Sequence, residues 1–193
     1  MQYAEMQADV RHSQAIEEIT YDETSASAQA HLAAVNHAWE QAANGVWPDV
    51  QELHSILMQP SDLQLPEIGQ WRTIGCYVGT EGCLESERHM PKANALPELM
   101  KGWEYLCKEY VETASSLTAS DRQLGADVLY YHLLCIHPFA DGNGRTGRLM
   151  RSSLRVLAGL PWDTITADVH PKYLSALSSY EDQVFRQRYA KLY

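Results

Sequence analysis

His137-Pro-Phe-Ala-Asp141-Gly-Asn-Gly-Arg145-Thr-Gly-Arg148 joins two segments of helical pattern, and its composition decides how the rest of the chain is read. Gly142 and Gly144 let the backbone approach a ligand closely. Successive N–H groups just before a helix make an anion cradle, reinforced by the helix dipole. Arg145 and Arg148, on the first turn of that helix, both reach phosphate oxygens. Asp141 supplies a hard carboxylate oxygen for Mg²⁺, which polyphosphate chemistry nearly always requires. His137 can take a proton near neutral pH, and Phe139 points into the core as an anchor. An EF-hand reading fails, because Arg145 stands fifth, Thr146 sixth and Ser152 twelfth. No G-x-x-x-x-G-K-[ST] occurs, so a Walker A loop fails too. A plain connecting loop with a solvated His and two surface arginines would leave this ordered set of residues unexplained.

Upstream, residues 120–136 carry an apolar stripe of Leu124, Val128, Leu129, Leu133 and Ile136, with Ser120 and Asp121 as caps. Downstream, a helix runs from about Gly144 through Leu157 and closes at Gly159 and Pro161. Tyr173 to Leu192 is helical as well. Toward the N-terminus, helices are expected over 96–117 with Pro97 in the first turn, and over 49–58 until Gln59-Pro60. Two more are expected over 25–44, stopped by Asn44-Gly45, and over 13–19 with Ser13 as N-cap. Residues 60–71 read as loop, and so does His89-Met-Pro-Lys-Ala93. Thr73-Ile-Gly75-Cys76-Tyr77-Val78 is strand-like, with a turn at 79–82 and a hairpin partner from Cys83. The expectation is one mostly helical domain over 1–193 with a small β element, which must lie on the helical body.

The chain has 193 residues, 45% of them hydrophobic, and a formal net charge of -10. That charge argues against a nucleic-acid partner, whose affinity rests on basic patches. Lys and Arg cluster at 145–155 and near the C-terminus, which suits a small phosphate ligand. No run approaches the roughly 20 apolar residues of a membrane helix. The start, Met1-Gln-Tyr-Ala-Glu5, has no basic segment followed by an apolar run, so a cytoplasmic location and no membrane partner are expected. Cys76, Cys83, Cys107 and Cys135 lack zinc spacing and read as reduced core residues.

The central segment resembles the Fic-domain signature, H-x-F-x-[DE]-G-N-G-R-x-x-R, at every defined position. The resemblance extends to Leu53-His54, to Gly69-Gln-Trp-Arg72, and to 73–78 with a loop reaching Pro91. It implies an all-α Fic fold with a small β-hairpin, the flap, in which Thr73, Ile74, Gly75, Cys76, Tyr77 and Val78 hold a target segment by strand-like pairing. It further implies a Mg²⁺-dependent protein adenylyltransferase, moving AMP from ATP to a Tyr, Thr or Ser hydroxyl of a target protein or of itself. His137 would be the base and Asp141 the metal ligand. Gly142, Asn143 and Gly144 would form the anion hole, and Arg145 and Arg148 would hold the β- and γ-phosphates. The family's phosphorylating branch has Lys where this chain has Gly144, so AMP transfer is expected.

Ser13-Gln-Ala-Ile16-Glu17-Glu18 resembles the family's inhibitory helix, [ST]-x-x-x-E-[GN], with residues 1–24 as its segment and 25–193 as the Fic core. By that resemblance Glu17 pairs with Arg148 and occupies the place of the γ-phosphate. Glu18 stands where Gly or Asn is usual. Two rivals stay open: removal of AMP from a modified protein, and a nucleotide-responsive binding module without turnover. His54, His89, His132 and His170 read as packed or surface histidines. Tyr173 reads as a core residue or as the tyrosine the family often has near the nucleotide base.

Overall fold

The computed structural model describes residues 1–59, 68–78 and 88–192, with Arg88 as backbone only. Helix α1 spans Tyr3–Ile16, α2 Ala26–Ala43 and α3 Val50–Met58. Ser25 caps α2 by accepting from the Ala28 N–H, and Asp49 caps α3 by accepting from Gln51 and Glu52. Helix α4 covers Leu96–Thr113, α5 Ala119–Ile136, α6 Asn143–Leu157 and α7 His170–Tyr180. A π-helical turn, Glu181–Phe185, then carries the chain into the short α8, Arg186–Tyr189. This is the all-α expectation met.

Helix α6 sits at the centre, packed between α5 and α2 with α3 and α4 touching it. Its inner residues Leu149, Met150 and Leu154 join Leu53, Leu96, Met100, Trp103, Ile136 and Phe139 in one core. Val10 and Met6 bring α1 into the same core through α2. Burying such side chains contributes roughly 1.5–3 kcal/mol each before entropy is charged. No described helix is long and apolar enough to cross a membrane.

Several boundaries differ from expectation. Helix α1 begins at Tyr3, ten residues before Ser13, with Gln2 as its N-cap in a capping box with Glu5. Ser13 therefore lies in the last turn and caps nothing. The cap of α5 is Thr118, whose Oγ1 accepts from the Asp121 N–H, rather than Ser120 or Asp121. Leu124, expected on the apolar stripe, is 60% exposed. The C-terminal helix starts at His170, because Pro171 fits a first turn.

The strand-like stretch reduces to β1, Tyr77–Val78, paired antiparallel with β2, Arg88–His89, with Tyr77 opposite His89. His89 is thus strand rather than loop. Residues 73–76 are not strand, and the Ile74 carbonyl accepts from Arg72 instead of from a neighbouring strand. The expected turn at 79–82, Cys83 and residues 60–67 of the expected loop lie outside the described residues, while 68–71 are loop as expected. Cys107 and Cys135 are buried cysteines, and Cys76 is half-buried in the flap stem.

Candidate functional site

The loop between α5 and α6 is held by groups from three parts of the chain. Phe139, 1% exposed, stacks on the His54 ring at 3.7 Å between centroids and packs against Trp71. The Phe139 N–H donates to Asn143 Oδ1, and Asn143 Nδ2 donates back to the Phe139 carbonyl. The Asn143 side chain is thereby spent on folding the loop. His54 Nδ1 accepts from the Gly69 N–H, so its Nε2 carries the proton and donates to the Asp141 carbonyl. Gly142 has φ 73°, and a Cβ there would lie 2.9 Å from Met58 Sδ. Only glycine fits that turn without strain.

His137 ends α5 at φ 51° and ψ 62°, a left-handed cap that costs a non-glycine residue on the order of 1 kcal/mol. Burial lowers its pKa to about 4, with the Arg72 charge adding to the effect. A ring bond to the Leu134 carbonyl and the Asp141 charge pull the other way. At neutral pH the ring is uncharged, so one of its nitrogens can accept a proton.

His137, Gly144 and Arg148 line one cavity of about 390 Å³, closed by Tyr130, Leu134, Cys135, Val78 and Met90, and on the α7 side by His170, Leu174 and Leu177. Arg148, 7% exposed, donates from Nη2 to Glu17 Oε1 at 2.7 Å and from Nε to Ser13 Oγ at 3.0 Å. The Ser13 carbonyl accepts from Nη2 as well. The Glu17 carboxylate also lies over Gly144, where a Cβ would be only 2.8 Å from Oε1. A carboxylate thus occupies the positive end of α6, beside the cavity's arginine.

Arg145 pairs with Asp141 at 3.3 Å, and its buried Nε has no partner among the described residues. Asp141 is half exposed, and its Oδ1 accepts from the Gly142 N–H at 2.6 Å. The structure therefore brings His137, Asp141, the Gly142–Gly144 turn, Arg145, Arg148, Ser13 and Glu17 to one site. The flap contributes Val78, whereas Ile74 and Tyr77 are exposed beside it.

Glu18 carries φ 57°. The Glu18 N–H bonds to the Ala15 carbonyl and the Ile19 N–H to that of Gln14, which is a Schellman ending for α1. The motif's Gly or Asn is therefore the left-handed residue that aims Glu17, and Glu18 fills that place at a steric cost. Tyr173 does not line the cavity; its hydroxyl accepts from Arg151 at 2.7 Å and its ring packs against Tyr130 and Tyr131. Arg151 is fully buried and also bonds Asp127 and Asp163. His170, read from sequence as packed or surface, lines the cavity. The tether roles of His54 and Arg72 were missed, and their only sequence signal was the resemblance of Leu53-His54 and Gly69-Gln-Trp-Arg72.

A family model described as the Fic/DOC family matches residues 48–154. The chain is 34% identical over 127 residues to "Protein adenylyltransferase Fic" of Drosophila erecta, covering 65% of this chain and 22% of that protein. It is 26% identical over 129 residues to "Protein adenylyltransferase fic-1" of Caenorhabditis elegans, covering 67% of this chain and 23% of that protein. The matches thus span less than a quarter of those relatives. Among solved structures, a Fic domain containing signaling protein from Bacteroides thetaiotaomicron is similar at TM-score 0.73 and 19% identity, covering 94% of this chain and 74% of that one. Fic-1 from C. elegans is similar at TM-score 0.61 and 19% identity, covering 92% and 55%.

Proposed function

The chain belongs to the Fic/DOC family, and on that premise we propose that it transfers AMP from ATP to a Tyr, Thr or Ser hydroxyl of a protein, with Glu17 restraining the reaction. The target is another protein or the chain itself. Residues 1–24 are the restraining segment and 25–193 the catalytic core. One observation carries the reading: an uncharged His137 and the Arg148 end of α6 line one cavity, and a carboxylate fills the anion position between them. A cytoplasmic location fits a reaction that draws on ATP.

The target hydroxyl gives its proton to the free nitrogen of His137 as its oxygen bonds to the α-phosphorus. The bond from that phosphorus to the bridging oxygen breaks, and pyrophosphate leaves. Backbone N–H groups at Gly142–Gly144 meet the charge on the phosphate oxygens, and Arg145 and Arg148 hold the distal phosphates. No group of three or more His, Cys, Asp or Glu among the described residues forms a metal cage. Asp141 offers one half-exposed carboxylate, which suits Mg²⁺, an ion that takes one or two protein carboxylates and fills the rest with phosphate and water. When bound there, Mg²⁺ would offset charge on the leaving group. A binding module without turnover would have no use for a half-buried, uncharged His137.

Glu17→Gly protein with α-labelled ATP and a cell lysate tests the reading. Hydrogen bonds to charged groups contribute roughly 1.5–3 kcal/mol, less where solvent screens them. Labelling should therefore rise about tenfold over wild type, and His137→Ala in that background should lose about 10²–10⁴-fold. Equal labelling by wild type and Glu17→Gly would show that the Glu17–Arg148 pair restrains nothing. Loss of label from a pre-modified protein in the same time course would favour AMP removal.

A further inference from the structure

Arg72 is 2% exposed and has no acidic partner among the described residues. A guanidinium out of water ordinarily takes a carboxylate. Among the described residues, every hydrogen bond of its side chain goes to a main-chain carbonyl. Nε donates to His137 at 2.8 Å, Nη1 to Ile74 at 2.8 Å and Nη2 to Pro91 at 2.6 Å. The Arg72 N–H donates to the Pro138 carbonyl at 2.9 Å. One residue therefore holds both carbonyls at the end of α5 and both feet of the flap, since the hairpin leaves after Ile74 and returns before Pro91. The Met90 N–H, bonded to the Cys76 carbonyl, closes the hairpin just above.

The left-handed cap at His137 gives this arrangement its meaning. That conformation turns the His137 carbonyl out of the helical ladder, and Arg72 takes it up. The same three-pronged group fixes where the flap stands. The geometry points to Arg72 as a positioning residue that sets the base His137 and the target-holding flap as one unit, an assignment that rests on the AMP-transfer reading above. Lysine cannot replace it, because a compact ammonium on a flexible stem does not span three divergent carbonyls. Arg72 does not line the cavity, so nucleotide binding is independent of it.

The test uses Glu17→Gly protein as parent, with Arg72→Lys and Arg72→Met added separately and α-labelled ATP as probe. Below the melting temperature of each variant, Arg72→Lys should cut maximal labelling by at least about tenfold and leave KM for ATP within about twofold. Its retained charge should keep the acid limb of the pH–rate profile in place. Arg72→Met should lose the same rate and move that limb up toward the ordinary histidine value of about 6.5. The other titratable groups about His137 are Asp141 and, on the shared cavity, Tyr130, Cys135, Arg148, His170 and Glu181, with Cys76 behind Arg72, and all are common to the variants. Labelling by Arg72→Lys at the parent rate, or an acid limb unmoved in Arg72→Met, overturns the assignment. Should neither variant fold, the wild-type Arg72 Nε–H decides by NMR. It must exchange far more slowly than that of surface Arg11, and equal rates overturn the tie. A parent that labels nothing counts against AMP transfer itself, and the exchange measurement still judges Arg72.

Discussion

Phe139 lies between His54 and Trp71 at 1% exposure, whereas Ile74, Tyr77 and Val78 in the flap stand 67%, 47% and 42% exposed. The loop 137–148 is fixed by stacked rings, by the paired Phe139–Asn143 bonds and by the His54 bridge. The flap is two residues of pairing on each side. The difference follows from what each region must do on the proposed reading. Charge stabilisation works only when donors are held in place before the reaction, so the loop is braced from behind. Strand addition needs an open edge, so Ile74, Tyr77 and Val78 stand exposed.

The comparison breaks most visibly at Phe139. Phe139→Ala removes a core ring, which typically costs about 3–5 kcal/mol, or roughly 10 °C in melting temperature for a chain of this size. A loss of only a degree or two would show that the loop is no better anchored than the flap.

Acid should act on the braced body next. Burial lowers His31 to about 3 and His132 to about 4. Between about pH 4 and 6.5 the unfolded chain binds protons that the folded chain refuses, so stability present above pH 6.5 is lost as pH falls. The slope is at most about 1.4 kcal/mol per pH unit for each group. Asp9 opposes it, since burial raises its carboxyl, and a raised carboxyl favours the folded state at low pH. Urea midpoints should fall from pH 7 to pH 5, and His31→Gln should flatten the slope; equal midpoints at both pH values would contradict the two buried imidazoles.

A smaller gain is expected at the end of α1. Glu18→Gly relieves a positive φ and should stabilise the protein by about 1 kcal/mol. By tightening α1 it should also lower basal labelling, and a drop in melting temperature would contradict the strained cap. The smallest effect on folding belongs to the flap. Ile74→Ser and Tyr77→Ser should each change stability by no more than about 0.5 kcal/mol. Labelling of added protein should nonetheless fall while ATP binding holds; a large melting shift would mean that the flap is part of the core.

Most of the fold was legible where the signal was local. Ser25, Asp49, Gly45 and Gly159 end their helices through contacts within a few residues. Ser13 misled because its partner is Arg148, 135 residues away, so a tertiary contact looked like a cap. Leu124 fits the helical period yet faces solvent, since periodicity marks a face but not what covers it. The strand expected over 73–78 was shortened by Arg72, which draws off the Ile74 carbonyl. The site's chemical groups were legible because they lie in one short segment. Their supports were not, because Arg72 reaches His137 across 65 residues and His54 reaches Asp141 across 87.

The bare α-carbon of Gly144 carries a consequence for how such a protein can change over generations. The Glu17 carboxylate and the proposed nucleotide phosphates use the same gap, and a Cβ at 144 would stand 2.8 Å from the carboxylate. On the proposed reading, any mutation there that displaces Glu17 also crowds out the nucleotide. A lineage escaping restraint therefore cannot do so at Gly144, nor at Arg148, which anchors both occupants. Only α1 is free to drift, so sequences that have lost inhibition should differ first at Ser13 and Glu17 while keeping Gly144 and Arg148.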